Sequence, residues 1–528
     1  MLHIPISGDD AYDCLDAIVV AVANWYGCDY QLMFSNSWEF EYSKCSSPES
    51  TIGQNIIPVE KNDRFSLLGK YHGLYLDFFF ETTTEQTVKA IMEELALGKP
   101  ISLFMDTFWC PWYKGGYQEF HAGHTCLVVG SDESKEVFYC IDGQMTIDPV
   151  ELPIEMLRKG CNGYLKFTFI KDHVYKVNWK DLIDDSIKNT GFETNKDNFF
   201  DEMVYLAQQL KENFDITKEI KGFEKRPFQA LIFKKLLQVG RGRKQYAQFL
   251  KYIGEINSIN ELITISYDLD KVGKIWSAIF GMIVKGVYIG NPSYIIDRVS
   301  AKVINAANIE KSIARNLRKI ISAKSDFHDI SSQKMDIMGA SFSKFYYICL
   351  DEYFNNQGFS EIMTLDCKAE FSNVGRYFLN KNLPIENEWS VDNMKFRFPE
   401  VSEAKFDNIS CSGDSITIET EDFYSAIMFL GSAEFGNHSE EILLEYNDGT
   451  SEEVTIEFTS WLGSKPTFGE CVAWSGKAAV RGDTGVVVYP FPVHIYANAY
   501  IINNRKLIRK LILPQCPNIH VFSITLAC

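Results

Sequence analysis

Three residues in the first part of the chain have the types and setting for nucleophilic acyl chemistry: Cys14, His124 and Asp142. Cys14 opens an apolar run of helical character, Cys14-Leu-Asp-Ala-Ile-Val-Val-Ala-Val-Ala-Asn-Trp-Tyr26. His124 lies at the start of Gly123-His-Thr-Cys-Leu-Val-Val-Gly130, which reads as a strand, and Asp142 closes the next, Val137-Phe-Tyr-Cys-Ile-Asp142. A thiol at a helix N-terminus is helped toward the thiolate by unpaired N–H groups and the helix dipole. A histidine within reach takes its proton, and a carboxylate fixes that histidine's tautomer. The spacing therefore predicts a papain-like layout.

Each residue also has a plainer reading. Cys14 fits as a buried helix cysteine, His124 as a core histidine, and Asp142 as the cap of an Asp142-Gly143 turn. Asp106, at another strand end, is a rival orienter, and His121 is a bystander or a group that supports the site from behind. Asp9, Asp10, Asp13 and Asp16 surround Cys14, and their charge is expected to raise the thiol pKa, so that the thiol stays protonated until His124 accepts the proton. No glutamine precedes Cys14 as an oxyanion donor, which leaves its backbone N–H for that task. Trp109, Trp112 and Tyr113, beside Gly115-Gly116, are candidate substrate-binding residues lining an acyl channel.

The elements that must position these groups follow from periodicity. Residues 1–172 read as α+β, with a first helix, a second over Glu85–Leu97 stopped by Gly98-Lys-Pro100, and strands at Ile101–Asp106, Gly123–Gly130, Val137–Asp142 and Gly163–Ile170. Residues 173–335 read as helical, in the segments Asn198–Phe214, Phe228–Gln238, Gln245–Ile253, Ile259–Leu269, Val272–Val287 and Asp297–Ala323, with glycines between the runs. Residues 343–528 read as an all-β sandwich of short strands, with a hairpin at Tyr446-Asn-Asp-Gly449.

Composition narrows the function. The chain has 528 residues, long enough for two or three domains, and 46% hydrophobic residues, as in a globular protein. A net charge of −18 disfavours nucleic acid and anionic membrane surfaces as partners. The basic stretch Lys234-Lys235 with Arg241-Gly-Arg-Lys244 reads as a solvated helix face or a local docking patch. The N-terminus lacks a basic segment followed by an apolar one, and the most apolar helix, Ile275–Gly290, is broken by Lys285. Thirteen cysteines without metal-ligand spacing suggest reduced thiols in the cytoplasm and no metal or other cofactor.

The motifs Asp13-Cys14, Pro100-Ile-Ser-Leu-Phe-Met-Asp106, Gly123-His124-Thr-Cys-Leu-Val-Val-Gly130 and Tyr139-Cys-Ile-Asp142 resemble the butirosin biosynthesis protein H family. So do Gly240-Arg-Gly-Arg-Lys-Gln-Tyr-Ala-Gln-Phe-Leu250 and Lys274-Ile-Trp-Ser-Ala278 in the helical part. Asp13 stands where that family often has histidine. The resemblance implies a fold similar to the bacteriocin-processing C39 cysteine peptidases over residues 1–172. It also implies an acyltransferase of natural-product biosynthesis, with Cys14 as nucleophile, His124 as base and Asp142 as orienter. Its partners would be an acyl or peptidyl carrier protein bearing a phosphopantetheine thioester and a small amine acceptor. A cysteine peptidase or amidohydrolase with the same triad is the alternative, as is a non-catalytic scaffold. Motifs such as Asp351-Glu-Tyr-Phe-Asn-Asn-Gln-Gly-Phe-Ser360, Leu383-Pro384 and Ile519-His-Val-Phe-Ser-Ile-Thr-Leu526 make the last third similar to galactose-binding-like jelly rolls, with Trp461, Trp474, His494 and Tyr496 as residues for stacking on a sugar or packing a core.

Overall fold

The computed structural model describes residues 1–528 except 7, 45–49, 58–63, 114–115, 144–145, 147, 172, 174, 176, 194–197, 290–292, 323–341, 382, 384–386, 404, 464–465, 483–484, 490 and 503–505. Gly115, Pro384 and the expected end of the helical part at 335 lie outside the described residues. The chain is mixed α/β, with a helical middle region and a C-terminal β-sandwich.

The N-terminal part is built on helix α1 (Cys14–Tyr26). Asp13 caps it by accepting from the Leu15 and Asp16 N–H groups, and Gly27, at φ 68°, ends it in the left-handed conformation that glycine tolerates. Every residue from Asp16 to Ala23 is buried, so this is a central helix and not an amphipathic one. After α2 (Arg64–His72) come β1 (Leu74–Phe80), α3 (Thr84–Ala96), β2 (Ile101–Asp106), β3 (Gly123–Asp132), β4 (Val137–Ile141), β5 (Val150–Pro153), α4 (Ile154–Gly160) and β6 (Cys161–Phe169). Among the described residues these strands form a six-stranded antiparallel sheet in the order β1-β6-β2-β3-β4-β5. Alternation along β3 sends Leu127 and Val129 toward α1, and Cys126 and Val128 toward the core beneath α3 and α4. Cys126 and Cys140 are fully buried there, as the apolar strand pattern suggested.

The helical region contains α5 (Trp179–Asn189), α6 (Phe199–Asn213), α7 (Leu231–Asn257), α8 (Asn260–Ile289) and α9 (Ser293–Ser322). Two expected breaks are absent: α7 runs through Gly240 and Gly242, and α8 through Asp270 and Lys271. The glycines serve a close crossing instead. A Cβ on Gly240 would lie 3.1 Å from Trp276 Cβ, and one on Gly273 would lie 2.5 Å from Lys244 Cγ. In the basic stretch Lys234 is exposed, but Arg243 and Lys244 do not form a solvated face. Arg243 is fully buried, with two guanidinium nitrogens each 3.1 Å from the Glu310 carboxylate, and Lys244 pairs with Asp10 at 2.6 Å. These helices share one apolar core with α1, so the 172/173 division separates chain segments and not cores.

In the sandwich, β7 (Ala426–Ala433), β10 (Cys471–Gly482), β11 (Val493–Ile501) and β13 (Ile519–Ala527) belong to the larger sheet, which has nine strands among the described residues. The strands β8 (His438–Tyr446), β9 (Ser451–Phe458) and β12 (Ile508–Ile512) form the smaller one with Ser415–Thr417. The Tyr446–Gly449 hairpin joins β8 to β9, with Gly449 at φ 81°. Trp461, Trp474 and Tyr496 are buried core residues, which removes them as a sugar-stacking platform; His494 is half-buried.

Candidate active site

The sheet brings the three sequence-nominated residues together. Leu127 pairs with Ile141, so Cys126 stands opposite Asp142, and His124, two residues upstream, shares that face. His124 Nε2 lies 2.5 Å from Asp142 Oδ2, and both side chains are buried. The same carboxylate oxygen accepts from Trp112 Nε1 at 2.7 Å. With Nε2 committed to Asp142, Nδ1 is the ring nitrogen left for the thiol. α1 packs on β3 and sets Cys14 beside this ring, and Cys14, His124 and Thr125 line one cleft.

The electrostatics favour an ion pair. Burial raises the Cys14 thiol pKa, but hydrogen bonding to His124 and Thr125 and the imidazolium charge outweigh it and bring it below the ordinary thiol value. Burial alone would lower His124, yet its bonds to Asp142 and Cys14 raise it to about 9. A lowered thiol beside a raised imidazole moves the pair toward thiolate–imidazolium. The net direction is opposite to the one expected from the surrounding aspartates, although Asp13 still raises the thiol. Asp16 and Asp13 meet Arg64 at 3.0 and 3.4 Å, and Asp10 meets Lys244 at 2.6 Å, so much of that charge is paired away from the sulfur. Because Asp13 takes the Leu15 and Asp16 N–H groups, the N–H of Cys14 is the helix-start donor left for an oxyanion.

A cleft of about 580 Å³ opens over the thiol, lined by Cys14, His124, Thr125, Phe104, Asp106, His121 and Asn162 among others. The aromatic trio expected to line an acyl channel is not among its lining residues. Trp112 is spent on Asp142, Tyr113 sets its ring edge-on to His124 with centroids 5.3 Å apart, and Trp109 packs over Gly160 and under Lys159. Asp106 orients His121 at 2.6 Å and not His124. Sequence reading missed Phe104 and Asn162 as cleft residues. Phe104 had a usable signal in the β2 pattern, ending at a strand tip beside the His124 strand; Asn162 had none.

Among the described residues no helix is long and apolar enough to cross a membrane. A search of the curated proteins finds no match. Residues 347–528 match the family described as AziU2-like beta-sandwich domain, in agreement with the observed sandwich.

Proposed function

We propose that the chain is a cysteine acyltransferase that takes an acyl, aminoacyl or peptidyl group from a carrier-protein thioester and passes it to an amine. The observation that carries this reading is the Cys14–His124–Asp142 relay at the floor of an open cleft. Its Cys, His, Asp order and the helix-tip thiol against an antiparallel sheet support a papain- or C39-like catalytic part. The Cys14 thiolate attacks the thioester carbonyl, the Cys14 N–H receives the oxyanion, and His124 protonates the departing thiol. The acyl group then rests on Cys14 until an acceptor displaces it. The sandwich is read as a galactose-binding-like module that docks a partner or a sugar-bearing acceptor.

The test is incubation with an acyl N-acetylcysteamine thioester, followed by mass mapping of the adduct. A single acyl group on Cys14, absent in Cys14→Ala and greatly slowed in His124→Ala, supports the reading. Acylation scattered over other cysteines refutes it. Discharge of the adduct at one rate with and without an amine would identify a hydrolase that shares the same first step.

A further inference from the structure

The cleft contains a second histidine–carboxylate pair that the triad does not use. His121 Nδ1 meets Asp106 Oδ2 at 2.6 Å, while Asp106 Oδ1 accepts from the Phe108 N–H at 3.1 Å and the Ala122 N–H at 3.2 Å. The His121 ring lies flat on Phe108, with centroids 4.4 Å apart and planes 10° from parallel. The imidazole is 68% exposed, yet it is pinned on one edge and one face, and both His121 and Asp106 line the cavity that holds Cys14 and His124. Nε2 is the nitrogen left to meet an occupant of the cleft.

Amine acylation has a use for it. A primary amine arrives protonated at neutral pH and loses two protons on the way to an amide, one before attack and one from the nitrogen of the tetrahedral adduct. Water loses one in its attack. After acylation His124 is neutral, having protonated the departing thiol, and it can accept one proton only. We infer that His121, oriented by Asp106, takes the first proton from a protonated amine acceptor; this rests on Cys14 being the acyl-carrying nucleophile. His121 Nε2 accepts a proton from the ammonium, and the freed lone pair forms the C–N bond to the Cys14 thioester carbonyl. The C–S bond breaks with its electron pair leaving on the Cys14 sulfur. His124 takes the second proton from nitrogen, which restores the thiolate–imidazolium pair, and His121 returns its proton to solvent. The acceptor class is thus a basic primary amine.

The experiment compares two chases of acyl-Cys14 protein prepared from an acyl N-acetylcysteamine thioester. One uses ethanolamine, protonated at neutral pH; the other uses hydroxylamine, which is not. In His121→Gln the ratio of ethanolamine to hydroxylamine discharge rates is expected to fall about 10²-fold. Asp106→Asn, which keeps an acceptor for the Phe108 and Ala122 N–H groups, is expected to shift the ratio the same way by less. An unchanged ratio in both variants, whether the two rates hold or fall together, overturns the inference and leaves the nucleophile assignment intact. Wild-type protein that never acylates at Cys14 removes both.

Discussion

Two buried histidine–carboxylate pairs in this molecule have opposite charge preferences. His124 against Asp142 is raised to about 9. His520 against Glu434, 3.3 Å apart and fully buried where α8 meets the sandwich, is lowered from its ordinary value. The difference lies in who else claims the carboxylate. Lys285 Nζ sits 2.7 Å from Glu434 and already neutralises it, so burial decides for His520 and its imidazole stays neutral. Asp142 is shared with a neutral indole, and the thiol beside His124 adds a second negative group when it ionises. A carboxylate near a histidine is therefore weak evidence of a base; a carboxylate without its own lysine, next to a thiol and an open cleft, is much stronger.

Removing each carboxylate should separate the two sites. Asp142→Asn takes away what holds His124 up, burial then lowers it, and the thiol loses its imidazolium. Acylation of Cys14 is expected to fall by about 10³-fold or more, as for other triads that lose their orienter, with the fold intact by circular dichroism. The pH profile follows from the same shifts. In the wild type, Cys14 alkylation by iodoacetamide should persist below the ordinary thiol range, because the thiol is lowered while His124 remains protonated up to about 9. In His124→Ala both lowering contributions of the imidazole are lost while burial still raises the thiol, so the profile should move to higher pH. A profile that does not move would mean that the helix N-terminus, and not the imidazole, activates the sulfur.

Glu434→Gln should do the reverse. It leaves the Lys285 ammonium buried without its counter-charge, at a cost of about 3–5 kcal/mol in thermal or denaturant unfolding. Cys14 alkylation should not change. The double variant Lys285→Met, Glu434→Gln should recover most of that loss, since an apolar side chain needs no partner. If Glu434→Gln slows Cys14 instead, the sandwich is coupled to the Cys14 site.

Much of the N-terminal part was legible because its signals are local. The apolar helix that Cys14 opens and the strands ending at Asp106 and Asp142 can be read within a dozen residues. What escaped depends on distant partners. β1, Leu-Tyr-Leu-Asp-Phe-Phe-Phe, has no polar–apolar alternation and lies at a sheet edge with Phe80 exposed, so it gave no strand signal. Gly240 and Gly242 looked like a break because the helix that Gly240 faces cannot be seen locally. Arg243 looked solvated because Glu310 lies 67 residues away. Trp112 looked like a channel wall because its bond to Asp142 exists only in the folded sheet.

The aspartates around Cys14 are the sharpest case, and they support the finest test of what separates the two histidines. By sequence they are four negative charges near a thiol; in the fold Arg64, at the start of α2, binds two of them. Arg64 therefore does for Asp13 and Asp16 what Lys285 does for Glu434. Arg64→Ala should return the Asp13 charge to the thiol and slow Cys14 alkylation at neutral pH by about two- to fivefold, the scale of a partly exposed ion pair worth about 0.5–1 kcal/mol. Raising the pH should close the gap between variant and wild type, because the lost factor is thiolate population and not access. An equal deficit at every pH would mean that Arg64 holds the α1 entry in place, and an absent deficit would mean that the cap's N–H bonds already screen Asp13 from the sulfur.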